Sequence, residues 1–216
     1  SPNATYSGAC HLFHYSPQWA TRDVVGHEFA HGVVNYTSSL EYLFQSGALN
    51  ESFADIFGHF VDPGDWLVGE DLPGGALRDM SDPPEFGQPD RMSTYQLIPD
   101  TSDRGGVHTN SGIHNKAAFL LTDGGLFNGR QIVGIGAAKA DRLLYASLTG
   151  LVSTSRFLDA RNRALWIAKV WANPVSPVFG FTTADVCSVR NAFAAVELGS
   201  GDADCDGIED VFEQDS

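Results

Sequence analysis

The segment His27-Glu28-Phe29-Ala30-His31 constrains this chain more than any other. Histidines four residues apart share a face only on a helix, where they stand about one turn apart and both imidazoles can reach one Zn²⁺. The flanking residues agree: Val24, Val25, Phe29, Val33 and Val34 recur at roughly helical spacing from Arg22 to Tyr36, with Thr21 or Asp23 near the cap. Glu28 sits beside the histidine face, placed to take a proton from a water on the metal. Such a site needs a third protein ligand, and a second helical stretch, residues 47–61, supplies Glu51 twenty residues after His31. Two antiparallel helices joined by a short turn would bring Glu51 against His27 and His31. Asp55, one turn further on, could then accept the outer N–H of a ligand histidine and fix its tautomer, and Asn50 could do similar work.

The remaining chain reads as mostly helical. Residues 3–16 form two short extended segments broken at Ser7-Gly8, hence a hairpin or edge strands. Pro63-Gly64 stops the second helix, and residues 62–107 are rich in breakers, so they read as irregular loop with a function or an ion to hold it. Further helices are expected at about 111–123, 135–149, 155–172 and 183–198. The net charge of −14 comes from 27 acidic residues against 13 basic ones, which disfavours nucleic acid and anionic membranes as partners. No apolar run approaches the roughly 18 residues of a membrane helix. The start carries neither the basic nor the apolar part of a signal peptide, so any targeting segment is expected to have been removed already. Three cysteines allow one internal disulfide at most, and no C-x-x-C pair suggests a thiolate metal site.

In its motifs the chain resembles the thermolysin-like metallopeptidases. Val24-Val25-Gly26-His27-Glu28-Phe29-Ala30-His31 and Gly47-Ala48-Leu49-Asn50-Glu51 with Asp55-Ile56-Phe57-Gly58 are similar to that family's zinc helix and third-ligand helix. The likeness continues through residues 65–71, 77–83 and 105–113 and covers nearly all of residues 3–198. The resemblance implies a mainly α (α+β) fold, the helical C-terminal domain of the zincins with a small N-terminal β-hairpin remnant. It implies zinc on His27, His31 and Glu51, with Glu28 as general base. It implies His108 and Tyr42 as hydrogen-bond donors to the oxyanion of the tetrahedral intermediate, with Asp103 orienting His108. Arg78 would hold a substrate carbonyl, and Asn3 and Ala4 would belong to the edge strand that pairs with an extended peptide. Val24, Val68 and Leu77 would wall a pocket for a bulky apolar residue. Asp23, Asp62, Asp65 and Glu70, with the Leu67 carbonyl, match the family's Ca²⁺ ligands; the short Asp62-to-Asp65 loop suits one ion rather than two.

Three units are expected: residues 1–22 as a β remnant, 23–199 as the helical peptidase domain and 200–216 as an Asp-rich tail. The tail's Asp202, Asp204, Asp206 and Asp210, with Glu213 following, carry the D-x-D-x-D-G start of a calcium loop. Its Cys205 and Cys187 on the last helix are a candidate disulfide. The family's large β-rich N-terminal domain is expected to be missing, and its glycine-rich hinge is replaced by Gln18-Trp19-Ala20-Thr21. The expectation is a secreted, monomeric zinc endopeptidase acting on proteins or peptides. The rival is an inactive zinc- and calcium-binding module that awaits a missing N-terminal half.

Overall fold

The computed structural model describes residues 3–212. The expected hairpin comes first: β1 (Ala4–Ser7) pairs antiparallel with β2 (Leu12–Tyr15), Ala4 opposite Tyr15. Six helices follow among the described residues: α1 (Arg22–Tyr36), α2 (Phe44–Val61), α3 (Asp103–Asp123), α4 (Ala137–Leu148), α5 (Phe157–Trp171) and α6 (Thr183–Ala195). Two further two-stranded sheets pair β3 (Leu67–Val68) with β4 (Arg78–Asp79), and β5 (Gly124–Phe127) with β6 (Arg130–Val133). The fold is mainly α with small two-stranded sheets, as the sequence led us to expect. No helix among the described residues is long and apolar enough to cross a membrane.

Helix α2 is the centre of the molecule, packed against α1 and against α3. Its Leu49, Phe53 and Ile56, spaced for one face, are fully buried in the main core with Ile113, Ala117, Leu120 and Leu121 of α3. The same helix also buries Asn50, Glu51, Ser52 and Asp55. Polar groups at the centre of a core are costly unless each finds a partner, so their presence marks where the helix does more than pack.

The α1–α2 crossing is unusually close. A Cβ on Gly58 would lie 2.8 Å from the carbonyl oxygen of Asp23, and one on Gly26 would lie 3.0 Å from the Cα of Gly58. Two glycines facing each other let the backbones approach and bring His27 within reach of α2. The long segment between α2 and α3 is held by side chains. Trp66 stacks on His59 with ring centroids 3.7 Å apart and donates from Nε1 to Asp123 Oδ2 at 2.7 Å, while Lys116 Nζ donates to the Ser81 carbonyl at 2.6 Å. This segment holds more order than the irregular loop expected, because the β3–β4 pair crosses it and places Val68, Leu77 and Arg78 together.

Two other elements differ from expectation. The third helix begins earlier than residue 111: Asp103 to Gly106 have φ between +44° and +85°, a left-handed run that turns directly into regular helix at Val107. The β5–β6 hairpin was not expected at all. Its turn, Asn128-Gly129, has positive φ at both residues, 48° and 76°, the two-residue connection that matches strand twist.

Candidate active site

His27 and His31 face α2, and the polar groups of α2 meet them in reverse order. His27 Nδ1 donates to Asp55 Oδ1 at 2.9 Å, and His31 Nδ1 donates to Asn50 Oδ1 at 2.7 Å. Rising numbers on one helix against falling numbers on the other define an antiparallel pair. With both Nδ1 atoms used as donors, both Nε2 atoms present lone pairs, and these lie 3.0 Å apart. Glu51 completes the group: its Oε2 is 3.6 Å from His27 Nε2 and its Oε1 3.4 Å from His31 Nε2. One donor atom from each of the three residues lies within 4.8 Å of the other two. Glu51 is buried, and Oε2 has no hydrogen-bond partner among the described residues. Facing lone pairs and an orphaned buried carboxylate oxygen are unfavourable for the protein alone. Two imidazole nitrogens and one carboxylate oxygen, with space on the cleft side, are the donor set of a catalytic Zn²⁺ site. Burial lowers the pKa of His31 and favours the neutral form a cation needs. At His27 burial is outweighed by the Asp55 and Glu51 carboxylates, which raise the pKa, so a bound cation would displace a proton there.

Asp55 anchors this group from behind. Besides His27 it accepts from Arg78, Nε to Oδ2 at 2.9 Å and the terminal nitrogen to Oδ1 at 2.6 Å, and from Asn115 Nδ2 at 2.9 Å. Burial alone would raise its pKa, but the Arg78 guanidinium and the His27 bond outweigh burial and hold it well below the usual carboxylate range. Arg78, expected on a substrate carbonyl, thus has a bidentate carboxylate partner inside the protein, although it also lines the cleft. Neither Arg78 nor Asn115 was assigned to Asp55 from the sequence, where they lie 23 and 60 positions away with no periodicity to link them.

An open cleft of about 590 Å³ lies over the group. Asn3, Ala4, Val24, Glu28, Tyr42, Asn50, Val68, Leu77 and His108 line it together with His27, His31 and Glu51. Glu28 is 6% exposed, and burial, with the Glu51 carboxylate adding, pushes its pKa above the ordinary value. Tyr42 donates its hydroxyl to Glu51 Oε1 and stands 3.0 Å from His108 Nε2. Burial and that same carboxylate raise the Tyr42 pKa, so it stays an O–H donor. His108 Nδ1 donates to Asp103 Oδ1 at 2.6 Å, while Asp103 Oδ2 accepts from the Thr109 amide and hydroxyl at 3.0 and 2.9 Å. The left-handed run at residues 103–106 folds Asp103 back over the first turn of α3 and so fixes the imidazole beside it.

The acidic residues divide into two further groups. Asp62, Glu70 and Asp71 bring donor atoms within 4.8 Å of one another. Asp71 was not among the expected calcium ligands; its only sequence signal is its place next to Glu70. Asp23 instead accepts from Thr21 Oγ1 at 2.6 Å and from the Gly69 amide, and Asp65 accepts from the Leu67 amide at 2.9 Å. Burial, with Asp23, Asp65 and Asp71 nearby, raises the pKa of Glu70, whose Oε2 lacks a hydrogen-bond partner among the described residues. In the tail, Asp202, Asp204 and Asp206 form the second group, whereas Asp210 is turned to Arg130 at 2.8 Å and to the Ala203 amide at 2.7 Å. Glu213 lies outside the described residues. Cys187 and Cys205 are joined in a disulfide, and Cys10 is exposed and free.

A helical fold with two histidines and a glutamate at the floor of an open cleft, and a buried glutamate beside them, is the architecture of a metallohydrolase. Residues 38–198 match the family described as thermolysin metallopeptidase, alpha-helical domain, and the chain belongs to that family. It is 43% identical over 185 residues to a bacillolysin of Bacillus caldolyticus, a match covering 81% of this chain and 32% of that protein. It is 39% identical over 200 residues to a zinc metalloproteinase of Renibacterium salmoninarum, covering 85% and 36%. The protealysin precursor of Serratia proteamaculans, a metalloproteinase, superposes with a TM-score of 0.71 at 30% identity, over 92% of this chain and 66% of that one. The chain spans about a third of the length of these curated relatives.

Proposed function

We propose that this chain carries the catalytic centre of a secreted zinc endopeptidase acting on proteins or peptides. The observation that carries the reading is the convergence of His27, His31 and Glu51 on one point below a cleft that also presents Glu28, Tyr42 and His108. His27, His31 and Glu51 would hold Zn²⁺, with Asp55 and Asn50 fixing the imidazole tautomers. When bound, the ion supplies a Lewis acid that makes water acidic enough to attack at neutral pH and draws charge from a carbonyl. Glu28 takes the proton from the attacking water; its raised pKa makes it a better acceptor, and it returns the proton to the leaving amine. Tyr42 donates its hydroxyl to the oxygen that becomes negative, and His108 donates from Nε2 in its imidazolium form, which Asp103 stabilises and keeps in place through Nδ1.

Strand β1 pairs with β2 along one edge, and its residues Ala4, Thr5 and Tyr6, with Asn3 before them, line the cleft. An extended peptide could add to the strand there. Val24, Val68 and Leu77 form apolar wall nearby, which favours a bulky apolar side chain next to the scissile bond. Arg78 orders that wall through Asp55 and offers its remaining N–H groups to a carbonyl. The group of Asp62, Glu70 and Asp71 is suited to one Ca²⁺, which would staple the end of α2 to the turn that follows β3. Secretion is supported by the Cys187–Cys205 disulfide.

The test is zinc content and casein cleavage by the purified chain, repeated for Glu28→Gln. One equivalent of zinc in both proteins, with cleavage falling at least about 10²-fold in the variant, is the expected result. Zinc retained with no cleavage by the unmodified chain would sink the reading and favour a binding module instead.

A further inference from the structure

We propose that Asp202, Asp204 and Asp206 form a second Ca²⁺ site, separate from the active cleft and from the Asp62 group, that locks the C-terminal segment onto α6. The site lies beyond residue 198, where the match to the family ends. Each of the three aspartates brings a carboxylate oxygen within 4.8 Å of the other two. An acidic group of this kind is common without an ion; the state of Asp202 sets this one apart.

Asp202 is 1% exposed. Its Oδ2 accepts from Arg190, whose side chain is also buried, and from the Gly207 amide at 3.1 Å. Its Oδ1 is buried and has no hydrogen-bond partner among the described residues. Arg190 therefore satisfies half of the carboxylate and leaves the other half desolvated, a state that costs free energy until a donor or a cation fills it. A neutral donor does not relieve the crowding of Asp204 and Asp206 against Asp202, since the Arg190 guanidinium pairs with Asp202 alone of the three among the described residues. A divalent cation answers both needs.

The donors are all hard oxygens on alternate residues of one loop, followed by Gly207 at φ 99° where the chain turns back. Three carboxylates completed by carbonyls and waters suit the flexible, oxygen-rich shell of Ca²⁺ better than the strict octahedron of Mg²⁺ or the nitrogen and sulfur preference of Zn²⁺. Asp204 and Asp206 each give one oxygen to a backbone N–H, at 3.1 and 2.7 Å, which holds the loop in a shape an ion can enter. The loop is also anchored by covalent and ionic ties: the Cys187–Cys205 disulfide, Arg130 on Asp210 at 2.8 Å, and Arg161 on Glu209 at 3.5 Å. The ion would act as a clip that completes this attachment.

The experiment is calorimetric titration of the full chain with Ca²⁺ alone, beside an Asp204→Asn/Asp206→Asn double variant and an Asp62→Asn/Glu70→Gln double variant. Asp204 and Asp206 are exposed, so the first variant leaves the core and the Arg190–Asp202 pair untouched. We expect the tail variant to lose one equivalent that the Asp62 variant keeps. Hydrogen exchange gives a second reading: Ca²⁺ should slow exchange of the amides of residues 202–210 at least about tenfold in the unmodified chain and leave the tail variant unchanged. Equal calcium equivalents in the unmodified chain and the tail variant, or no calcium-dependent protection of residues 202–210, would overturn the proposal. Neither reading depends on zinc or on peptidase activity.

Discussion

Asp55 shows how one buried residue joins the site to the core. Its two oxygens receive His27, Arg78 and Asn115, and removing Arg78 leaves a carboxylate in the interior without its guanidinium counter-charge. Arg78→Met keeps much of the stem but removes that balance and should destabilise the protein by about 3–5 kcal/mol, read by urea unfolding; a loss under 1 kcal/mol would show that Asp55 reaches solvent. His114 makes a prediction about pH. It is buried between Phe53 and Phe193, and burial alone pushes its pKa down to about 3. Ser52 donates its one hydroxyl proton to Asn115 Oδ1 at 2.6 Å, so in the 2.7 Å contact with His114 the ring's Nδ1–H is the donor, and burial keeps the ring neutral. The unfolded chain, with an ordinary imidazole pKa near 6.5, binds a proton between about pH 6.5 and 3 that the folded chain refuses. The His114 contribution is therefore intact above about pH 6.5 and declines as pH falls through that window. His114→Asn, which can keep a donor to Ser52 and does not titrate, should flatten the fall in stability from pH 6.5 to 4. An unchanged slope would mean that carboxylates alone set it.

At the scale of elements, what the sequence made legible was what local spacing encodes. The apolar rhythm of residues 22–36 and the H-E-x-x-H spacing gave α1 to the residue, and the helices at 137–148 and 157–171 fell within two residues of the reading. The positions named for one cleft do come together around it, because a motif on α1 and a motif on α2 need only an antiparallel turn to meet. The β5–β6 hairpin was legible and missed: Asn128-Gly129 is a strong turn signal, but four-residue strands amid helices offered too little alternation to support it. The pairing of Arg78 with Asp55 was not legible, since it depends on how the β3–β4 segment crosses α2. Nor was the closeness of α1 and α2 read from Gly26 and Gly58. Here Gly58→Ala makes the test: helix propensity favours alanine by about 1 kcal/mol, yet its Cβ would press on the Asp23 backbone, not on a flexible side chain. A net loss of ~2 kcal/mol, or roughly 4–8 °C in Tm, is expected. Gly64→Ala, with nothing within 4 Å, should leave Tm unchanged. A Gly58→Ala protein as stable as the parent would show that the two helices can part without cost.

For the whole molecule, the central position of α2 makes the metal centre a matter of global stability. Glu51 sits at the midpoint of the helix on which both α1 and α3 pack, buried with one oxygen unpartnered and two imidazole lone pairs opposed to it. Without an ion, the folded state carries those unmet groups at its centre, while the unfolded chain hydrates them. An ion that binds only the folded state adds RT ln(1 + [L]/Kd), about 2.7 kcal/mol at a hundredfold excess over Kd. For a chain of this size that is about 5–11 °C in Tm. A zinc-selective chelator should therefore lower the calorimetric Tm by at least that much, and restoring Zn²⁺ should return it. Glu28→Gln should show the same shift, because Glu28 lies beside the donor group and is not among its three ligands, whereas Glu51→Gln should shift little on chelation. The shift should also move the whole unfolding transition rather than split it, because α1 and α3 both pack on the helix that holds Glu51. A Tm indifferent to zinc would mean that the three residues are ordered by the fold alone and that the ion, if bound, contributes chemistry without holding α1 to α2.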